Sequence, residues 1–360
     1  MNKLDGYICS VPFQAIEMHE RNRFLCCASW LTEFLPDNVP IKEAWESETA
    51  NRVRESVLDG SYTYCKDTTC PFLNEIVHSG NPAPYSPVRE WNNLDLSTKS
   101  RIKHFRETGE IGAGPTQIQF SFDSSCNLKC PSCRVEMIMS SGARIKKSVK
   151  EIDDIQKSYG KSVKSLYITG TGDPFVAVAF RDFLRNFDKS KWPSLNKVHL
   201  HTNATRWTPK MWESMSKVHK YVKTCEISMD AATKDTYENK TRLNGKWDDL
   251  ISNLKFIATI PGLYSVKPSF VVQQSNYKEI PLFVDLLESI FKGSKKELRI
   301  FFGKITNWGT FTEEEFKQHD VFDKEHPEHE DFLQVMKNLK YNPNVLHNFN
   351  HILERKKVLI

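Results

Sequence analysis

The chain has 360 residues, of which 39% are hydrophobic and 26% are charged, with a formal net charge of +5. This composition supports a folded core and excludes a disordered chain, and the length suggests two domains or one large α/β domain with an addition. No stretch approaches the ~20 apolar residues that cross a bilayer, and the N-terminus lacks the apolar core of a secretory signal. We therefore expect a cytoplasmic protein with no membrane partner, in which cysteines indicate metal ligands before disulfides.

The cysteines form two groups and one isolated residue. Five lie in the first 70 positions, namely Cys9, Cys26, Cys27, Cys65 and Cys70. Three follow at Cys126, Cys130 and Cys133, and Cys225 stands alone. The proline-rich segment His78–Asn93 separates the two groups and predicts a boundary. We predict an N-terminal cysteine domain over 1–80, a linker over 81–114, a main domain over 115–305 and a helical tail over 306–360.

Short strands alternate with helices throughout the main domain. The predicted strands are Gln117–Phe122, Ser165–Gly170, Asn196–Asn203, Val222–Asp230, Ser265–Val272 and Glu297–Phe302. The predicted helices between them are Ser148–Tyr159, Val176–Phe187, Pro209–Val218, Trp247–Ile260 and Lys278–Phe291. Such alternation indicates an α/β fold with parallel strands, arranged as an incomplete barrel or a doubly wound sheet. Functional residues are then expected at the C-terminal ends of the strands.

The loop after the first of these strands reads CNLKCPSC and contains three of the cysteines. A [4Fe–4S] cluster usually takes four thiolates, so three ligands leave one iron open for an exogenous ligand. Catalytic zinc keeps a coordination position open for substrate in the same way. A structural zinc site is the rival interpretation, but such sites are typically built from four Cys or His ligands, and the fourth is missing locally.

The sequence CNLKCPSCR resembles the signature of the radical S-adenosylmethionine superfamily. The resemblance implies a partial (β/α)6 TIM-like barrel and a [4Fe–4S] cluster whose open iron binds S-adenosylmethionine. It also implies reductive cleavage of that cofactor to a 5′-deoxyadenosyl radical, which abstracts a substrate hydrogen. The loop departs from many members at Ser132, where they have an aromatic residue before the third cysteine.

Later strand ends resemble the cofactor-binding motifs of the same superfamily. The turn YITGTGDP is similar to the Gly-Gly-Glu-Pro motif, although Thr171 replaces a glycine and Asp173 replaces the glutamate. The other segments are HTNAT, EISMDA and the Tyr-x4-Arg turn of YENKTR. Through this resemblance we expect cofactor contacts from Thr171, Gly172, Asp173, Asn203, Ser228, Asp230 and Arg242. Asn203 could equally cap a helix, and Arg242 could lie on the surface.

The first 75 residues resemble the SPASM/twitch type of auxiliary cluster domain. In that type a cysteine precedes a small hairpin that ends in another cysteine, and a helix then leads to a final cysteine pair followed by proline. The resemblance implies that Cys9, Cys65, Cys70 and either Cys26 or Cys27 hold an auxiliary [4Fe–4S] cluster. A zinc ribbon is the alternative. In the known families this module follows the barrel, whereas here it comes first.

These resemblances predict a radical enzyme that modifies a peptide or protein, supplied with electrons by a reduced flavodoxin- or ferredoxin-type donor. Oxidation or rearrangement of a sugar or aminocyclitol is the alternative reaction. A non-catalytic iron–sulfur electron carrier or regulator is the alternative class. No stripe of aromatic and basic residues points to a nucleic-acid partner.

Overall fold

The computed structural model describes residues 3–82, 85–339 and 342–349. The chain divides into two compact units. The first unit comprises Met1–Asp123, Gly142–Ile168 and Asp188–Val198. The second comprises Ser124–Ser141, Thr169–Phe187 and His199–Ile360. All three cysteines of the predicted cluster loop therefore belong to the second unit, and all five N-terminal cysteines belong to the first.

The strands of the first unit are β1 (Tyr7–Cys9), β2 (Ala15–His19), β3 (Arg23–Phe24), β4 (Val88–Glu90), β5 (Gln117–Ser121) and β6 (Ser165–Ile168). Strand β7 (Lys197–Thr202) contributes its last four residues to the second unit. The second unit continues with β8 (Val222–Ser228), β9 (Ser265–Val272), β10 (Glu297–Leu298), β11 (Ile300–Lys304) and β12 (Val345–His347).

The helices follow the strands in chain order. The N-terminal 123 residues contain α1 (Ile41–Trp45), α2 (Glu48–Leu58), α3 (Pro71–Ser79) and α4 (Leu96–Thr108). Next come α5 (Gly142–Tyr159), α6 (Val178–Arg185), α7 (Pro209–Glu213) and α8 (Lys234–Thr236). A π-helical turn over Tyr237–Thr241 precedes α9 (Trp247–Thr259), α10 (Ile280–Phe291), α11 (Glu313–His319) and α12 (His329–Lys337). No helix of the described residues combines the length and apolarity that crossing a membrane requires.

In the first unit, β5 pairs in parallel with both β2 and β6. Strand β3 pairs antiparallel with β2, so these two strands form a hairpin between Cys9 and Cys26. Strands β1 and β4 form a separate antiparallel pair. The segment predicted as a linker thus contains β4 and the 13-residue helix α4. This helix begins at Asp95, whose carboxylate accepts from the Thr98 amide.

In the second unit, β9 pairs in parallel with β8 and β11, and β11 pairs in parallel with β12. Alternate residues of β8 and β9, such as Ile227 and Phe270, are fully buried on the apolar face of these strands. The ring of Phe270 packs against Phe283 of α10 and Phe302 of β11. The opposite faces of these strands carry polar side chains.

Parallel strands that alternate with helices make the fold α/β, as predicted. The order of strands and helices along the chain is that of a partial (β/α)6 TIM-like barrel. The predicted strand Glu297–Phe302 is divided into β10 and β11, and both pieces pair with β9. The predicted helical tail contains α11 and α12, but it also contains a strand. Strand β12 follows α12 and extends the sheet beside β11. Residues 350–360 of that tail lie outside the described residues.

Candidate active site

The cysteine loop is fixed by backbone hydrogen bonds within the second unit. The amides of Cys133 and Arg134 both donate to the carbonyl of Cys130, at 2.9 and 3.0 Å, so these residues form one tight turn. The Cys126 amide donates to the Ile138 carbonyl at 2.9 Å. Cys126 and Cys130 are buried, and Cys133 is exposed. The loop thus presents three thiols from one short, backbone-bonded segment.

Each of the three cysteine sulfurs accepts a hydrogen bond from a different side chain. Asn203 Nδ2 lies 3.5 Å from Cys126 Sγ, and Arg242 Nη1 lies 3.4 Å from Cys130 Sγ. Arg134 Nη2 lies 3.5 Å from Cys133 Sγ. Donors of this kind, two of them cationic, stabilise a thiolate more than a neutral thiol. The surroundings of the loop therefore suit three anionic sulfur ligands.

The pKa values of the buried thiols reflect two opposing effects. Burial raises the pKa of Cys126 to about 11, and the positive charge of Arg134 opposes that rise. Burial also raises the pKa of Cys130, against the influence of Arg242. Binding of iron would supply the remaining positive charge that deprotonation requires. A [4Fe–4S] cluster with three protein thiolates fits this donor set.

The carboxylate of Asp173 is tied to the end of β7. Its Oδ2 accepts from Thr202 Oγ1 at 2.6 Å and from the Asn203 amide at 2.9 Å, while Oδ1 accepts from the Phe175 amide at 3.0 Å. The side chain is fully buried, and burial raises its pKa. Asp173 therefore holds the backbone of Asn203, whose side chain reaches Cys126.

Asn203 joins the turn after β7 to the cysteine loop, and the cap of α7 is Thr208. Its Oδ1 accepts from the amide of Thr205, which closes the turn after β7. Its Nδ2 donates to Asn127 Oδ1 at 3.1 Å as well as to the Cys126 sulfur. The residue is 5% exposed, so both sets of bonds are shielded from water.

Thr171 and Gly172 lie in a turn organised by the hydroxyl of Thr169. The amides of Thr171 and Gly172 lie 3.2 and 3.3 Å from Thr169 Oγ1. The Thr171 carbonyl accepts from Arg134 Nη2 at 2.6 Å. The turn that resembles the Gly-Gly-Glu-Pro motif is thereby bonded to the side chain that reaches Cys133.

Asp230 and Arg242 form a buried ion pair, with Oδ2 and Nη2 2.6 Å apart. Arg242 is thus an interior residue whose side chain is 11% exposed. Asp230 has a φ of 58°, in the left-handed region, and its Oδ1 accepts from the Val271 amide. Asn276 donates to the Asp230 carbonyl. These bonds hold an otherwise unfavourable backbone conformation at the end of β8.

Two buried polar atoms beside Cys130 have no hydrogen-bond partner among the described residues. They are Nε of Arg242 and the hydroxyl of Tyr237, which is fully buried. Burial raises the pKa of Tyr237, and Arg242, Cys130 and Asp230 are among its charged neighbours. Unsatisfied donors in a buried site are costly unless a ligand completes them. Arg242 Nε is therefore a fitting donor for a bound carboxylate.

Polar side chains line one face of β7, β8 and β9. His201 Nε2 lies 3.0 Å from Ser228 Oγ, and Lys267 Nζ lies 2.5 Å from Glu226 Oε2. Lys267 is chiefly responsible for lowering the pKa of Glu226 to about 2 despite its burial, whereas burial lowers the pKa of His201. Ser228, expected to contact the cofactor, thus has His201 as a hydrogen-bond partner.

The N-terminal cysteines differ in what surrounds them. Burial raises the pKa of Cys9, and the neighbouring Cys70 and Cys65 raise it further. Burial likewise raises the pKa of Cys26, which has Cys9 and Cys70 among its neighbours. Cys27 instead bonds to Ser29 Oγ at 3.2 Å, and Glu17 is its strongest charged neighbour. Cys27 in turn raises the pKa of Cys26 and of Cys70, so all five thiols are electrostatic neighbours.

No group of three or more His, Cys, Asp or Glu residues suited to hold one metal ion occurs among the described positions. The thiolates of a [4Fe–4S] cluster each bind a different iron, so they need not meet at one point.

Sequence reasoning missed Arg134 and Asn127, whereas Tyr237 is the tyrosine of the Tyr-x4-Arg turn. The signal for Arg134 was its position, because a cation directly after the third cysteine is well placed to reach a thiolate. Nothing local in the sequence marks Asn127, since its partner Asn203 lies 76 positions away. These residues complete the surroundings of the loop.

Residues 121–262 match the Radical SAM superfamily. No curated protein sequence matches the chain. Among solved structures, Streptococcus suis SuiB bound to precursor peptide SuiA is 15% identical, covering 84% of this chain and 63% of that chain, with a TM-score of 0.47. TYW1 with a lysine–pyruvate adduct bound is 16% identical over 63% of this chain and 74% of that chain, with a TM-score of 0.40. HydG, a maturase of the [FeFe]-hydrogenase, is 14% identical over 71% of this chain and 57% of that chain, with a TM-score of 0.38.

The chain spans less than two thirds of the length of SuiB. The family match begins at the end of β5 and includes the cysteine loop, the turn after β6 and the Asp230–Arg242 pair. The match includes the three cysteines near its start, so residues 121–262 are similar to the radical S-adenosylmethionine superfamily.

Proposed function

We propose that this protein reductively cleaves S-adenosylmethionine and uses the resulting radical to abstract a hydrogen from a peptide or protein. The observation that carries the proposal is the loop with three thiols, each bonded to its own donor, and no fourth thiol on the loop. The remaining cysteine of the second unit, Cys225, is buried in β8. Three thiolates leave one iron of a [4Fe–4S] cluster for the cofactor.

Cys126, Cys130 and Cys133 hold the cluster in this proposal. When bound, the cluster supplies the electron that cleaves S-adenosylmethionine to methionine and a 5′-deoxyadenosyl radical. Asn203, Arg242 and Arg134 donate hydrogen bonds to the three sulfurs and fix their orientation. Asp173 acts through Asn203, because its carboxylate holds the Asn203 amide.

The cofactor-binding residues are proposed from the same set. Arg242 Nε is unpartnered among the described atoms and would donate to the cofactor carboxylate. The turn over Thr171 and Gly172 would approach the ammonium group, and Asp230 keeps Arg242 in place through its ion pair. Ser228, which bonds to His201, would contact the ribose or methionine portion of the cofactor.

We propose an auxiliary [4Fe–4S] cluster on Cys9, Cys26, Cys65 and Cys70. Its support is the mutual effect of these thiols on one another's pKa. Cys27 is the alternative to Cys26, and its bond to Ser29 favours Cys26. An auxiliary cluster of this type could accept an electron from a substrate radical.

The peptide or protein substrate is favoured by the surface that follows the cluster loop. Val135, Met137 and Met139 are 67%, 50% and 55% exposed, directly after Cys133. Exposed apolar groups in a row favour contact with another polypeptide. The polar face with Glu226 and Lys267 supports the second candidate, oxidation of a small polar molecule such as a sugar or aminocyclitol. A reduced flavodoxin- or ferredoxin-type protein is the proposed electron donor.

The deciding experiment is anaerobic. The full chain is reconstituted with iron and sulfide, reduced, mixed with S-adenosylmethionine and assayed for 5′-deoxyadenosine. The matched control is the triple variant Cys126→Ala/Cys130→Ala/Cys133→Ala, with iron counted in both. We expect 5′-deoxyadenosine only from the wild type, and about four irons retained by the variant. Absence of 5′-deoxyadenosine from a fully loaded wild type would contradict the proposal and favour an electron carrier or regulator.

The substrate class is tested by stimulation of cofactor cleavage. A pool of peptides and a pool of sugars and aminocyclitols are added separately to the reduced enzyme. The proposal expects faster 5′-deoxyadenosine formation with the peptide pool. Stimulation by the second pool alone would favour the small-molecule reaction.

A further inference from the structure

We propose that Arg134 is a positioning residue that raises the reduction potential of the cluster on the cysteine loop. The inference rests on the proposed function only in requiring a cluster on Cys126, Cys130 and Cys133. It concerns a residue that lies outside the cofactor contacts proposed above.

The guanidinium of Arg134 is held by a set of bonds inside the second unit. Nη1 donates to the Ser124 carbonyl at 2.9 Å, and Nη2 donates to the Thr171 carbonyl at 2.6 Å. The same Nη2 lies 3.5 Å from Cys133 Sγ. The residue is 9% exposed, so its charge is poorly screened by water. The planar fork of arginine suits such a fixed position better than the flexible ammonium of lysine.

The charge of Arg134 is not offset by a carboxylate. Among the described residues, no acidic group lies within ion-pair distance of its guanidinium, whereas Arg242 is paired with Asp230 at 2.6 Å. The Cys133 sulfur, 3.5 Å from Nη2, would be its anionic partner as a thiolate. Arg134 therefore directs a full positive charge at the loop, and the Asp230–Arg242 pair contributes little net charge.

A fixed positive charge favours the state of the cluster with one more electron. The reaction concerned is one-electron reduction of the cluster by an external low-potential reductant, and no bond is made or broken at Arg134. Hydrogen bonds to the sulfurs and net charge near the cluster are both known determinants of its potential. Removal of the charge and its bond should therefore make the cluster harder to reduce.

The test is a potentiometric titration followed by electron paramagnetic resonance, on the full chain with both clusters loaded. The signal of the loop cluster is the one absent from the triple cysteine variant. We expect Arg134→Gln to lower the equilibrium constant for reduction about tenfold, which is about 59 mV for one electron. Arg134→Lys should give an intermediate value. The matched control, Arg206→Gln, removes an exposed arginine of the same unit and should leave the potential unchanged.

Iron content separates tuning from mere support of the loop. A wild-type potential in a fully loaded Arg134→Gln protein would overturn the proposal, as would an equal shift in Arg206→Gln. If Arg134→Gln fails to load, Arg134→Lys decides, and a wild-type potential there overturns it. Loss of the loop cluster in both variants would show a structural role only. A wild type that makes no 5′-deoxyadenosine defeats the proposed function, but the shift in potential is still measured independently.

Discussion

The two cysteine groups differ in the electrostatic surroundings of their thiols. On the loop of the second unit, each sulfur faces a side-chain donor, and two of the three donors are arginines. In the N-terminal group, the thiols chiefly face one another, so that burial and mutual repulsion raise the pKa of Cys65 to about 12. Side-chain donors compensate charge on the loop, whereas in the N-terminal group backbone amides chiefly oppose the rise in pKa that burial causes at Cys9 and Cys70, and a metal would supply the remaining positive charge. The comparison separates a loop whose sulfurs are bonded by protein side chains from a group in which the proposed auxiliary cluster would be held by thiols that repel one another.

The largest expected effect concerns the N-terminal group. Cys70→Ala should lose about four irons per chain, because one ligand of a closed cluster is removed. Cys27→Ala, the matched control, should retain them, since Cys27 bonds to Ser29. Iron analysis and thermal melting of the anaerobic proteins measure both effects. Equal iron loss in the two variants would remove the distinction between Cys26 and Cys27.

The next effect concerns the charge balance near Cys130. Asp230→Asn keeps a residue that tolerates the left-handed φ of 58° but leaves Arg242 buried without its partner. We expect a loss of about 3–5 kcal/mol in the free energy of unfolding, measured with chemical denaturant. Asp248→Asn breaks the exposed pair with Lys234 and should change nothing measurable. A small effect at Asp230 would mean that the pair is accessible to water.

A smaller effect is expected from the pH dependence of the free energy of unfolding. Lys267 is chiefly responsible for lowering the pKa of Glu226 from 4.5 to about 2, so the ionised carboxylate stabilises the folded state above pH 4.5. That stabilisation is lost as the pH falls through 4.5 toward 2, because the unfolded chain binds the proton first. Between pH 6 and pH 3 the wild type should lose about 2 kcal/mol more stability than Glu226→Gln. Parallel losses in the two apoproteins would contradict the assignment.

The smallest effect is expected at Cys225, the thiol outside both groups. Its side chain is 1% exposed in β8, so Cys225→Ala should cost only about 1 kcal/mol of packing. Iron content and 5′-deoxyadenosine formation should equal those of the wild type. Any loss of iron would indicate that Cys225 is a ligand, and the division of the ligands into two cysteine groups would then be wrong.

Much of the barrel could be predicted because its strands and helices carry local patterns. Alternating apolar residues such as Ile118 and Phe120 of β5 indicate a half-buried strand. In the following helices, apolar residues recur with the helical period of about 3.6 residues. The parallel pairing of β2 with β5 was not predicted, because the pairing of strands about 100 positions apart depends on the whole fold.

For the candidate site, the sequence could predict the cysteine ligands and the order of the motifs at the strand ends, but not the contacts between them. The three loop cysteines and Asn203, Asp230 and Arg242 lie together, as expected of strand ends. The roles of their neighbours could not be read from spacing. The bonds of Asp173 to Thr202 and Asn203 could not be predicted, since which loops meet is decided by packing and not by local sequence.

The antiparallel bridge between Lys129 and Leu243 joins the cysteine loop to the segment after Arg242. Cys130 and Arg242 are 112 positions apart, so at roughly 5–20 residues per second the ribosome adds the arginine about 6–22 s after the cysteine. During that interval the loop thiols lack a cationic donor that the finished fold supplies. Cluster loading that depends on this donor must therefore follow translation of β8 and of Arg242 after it.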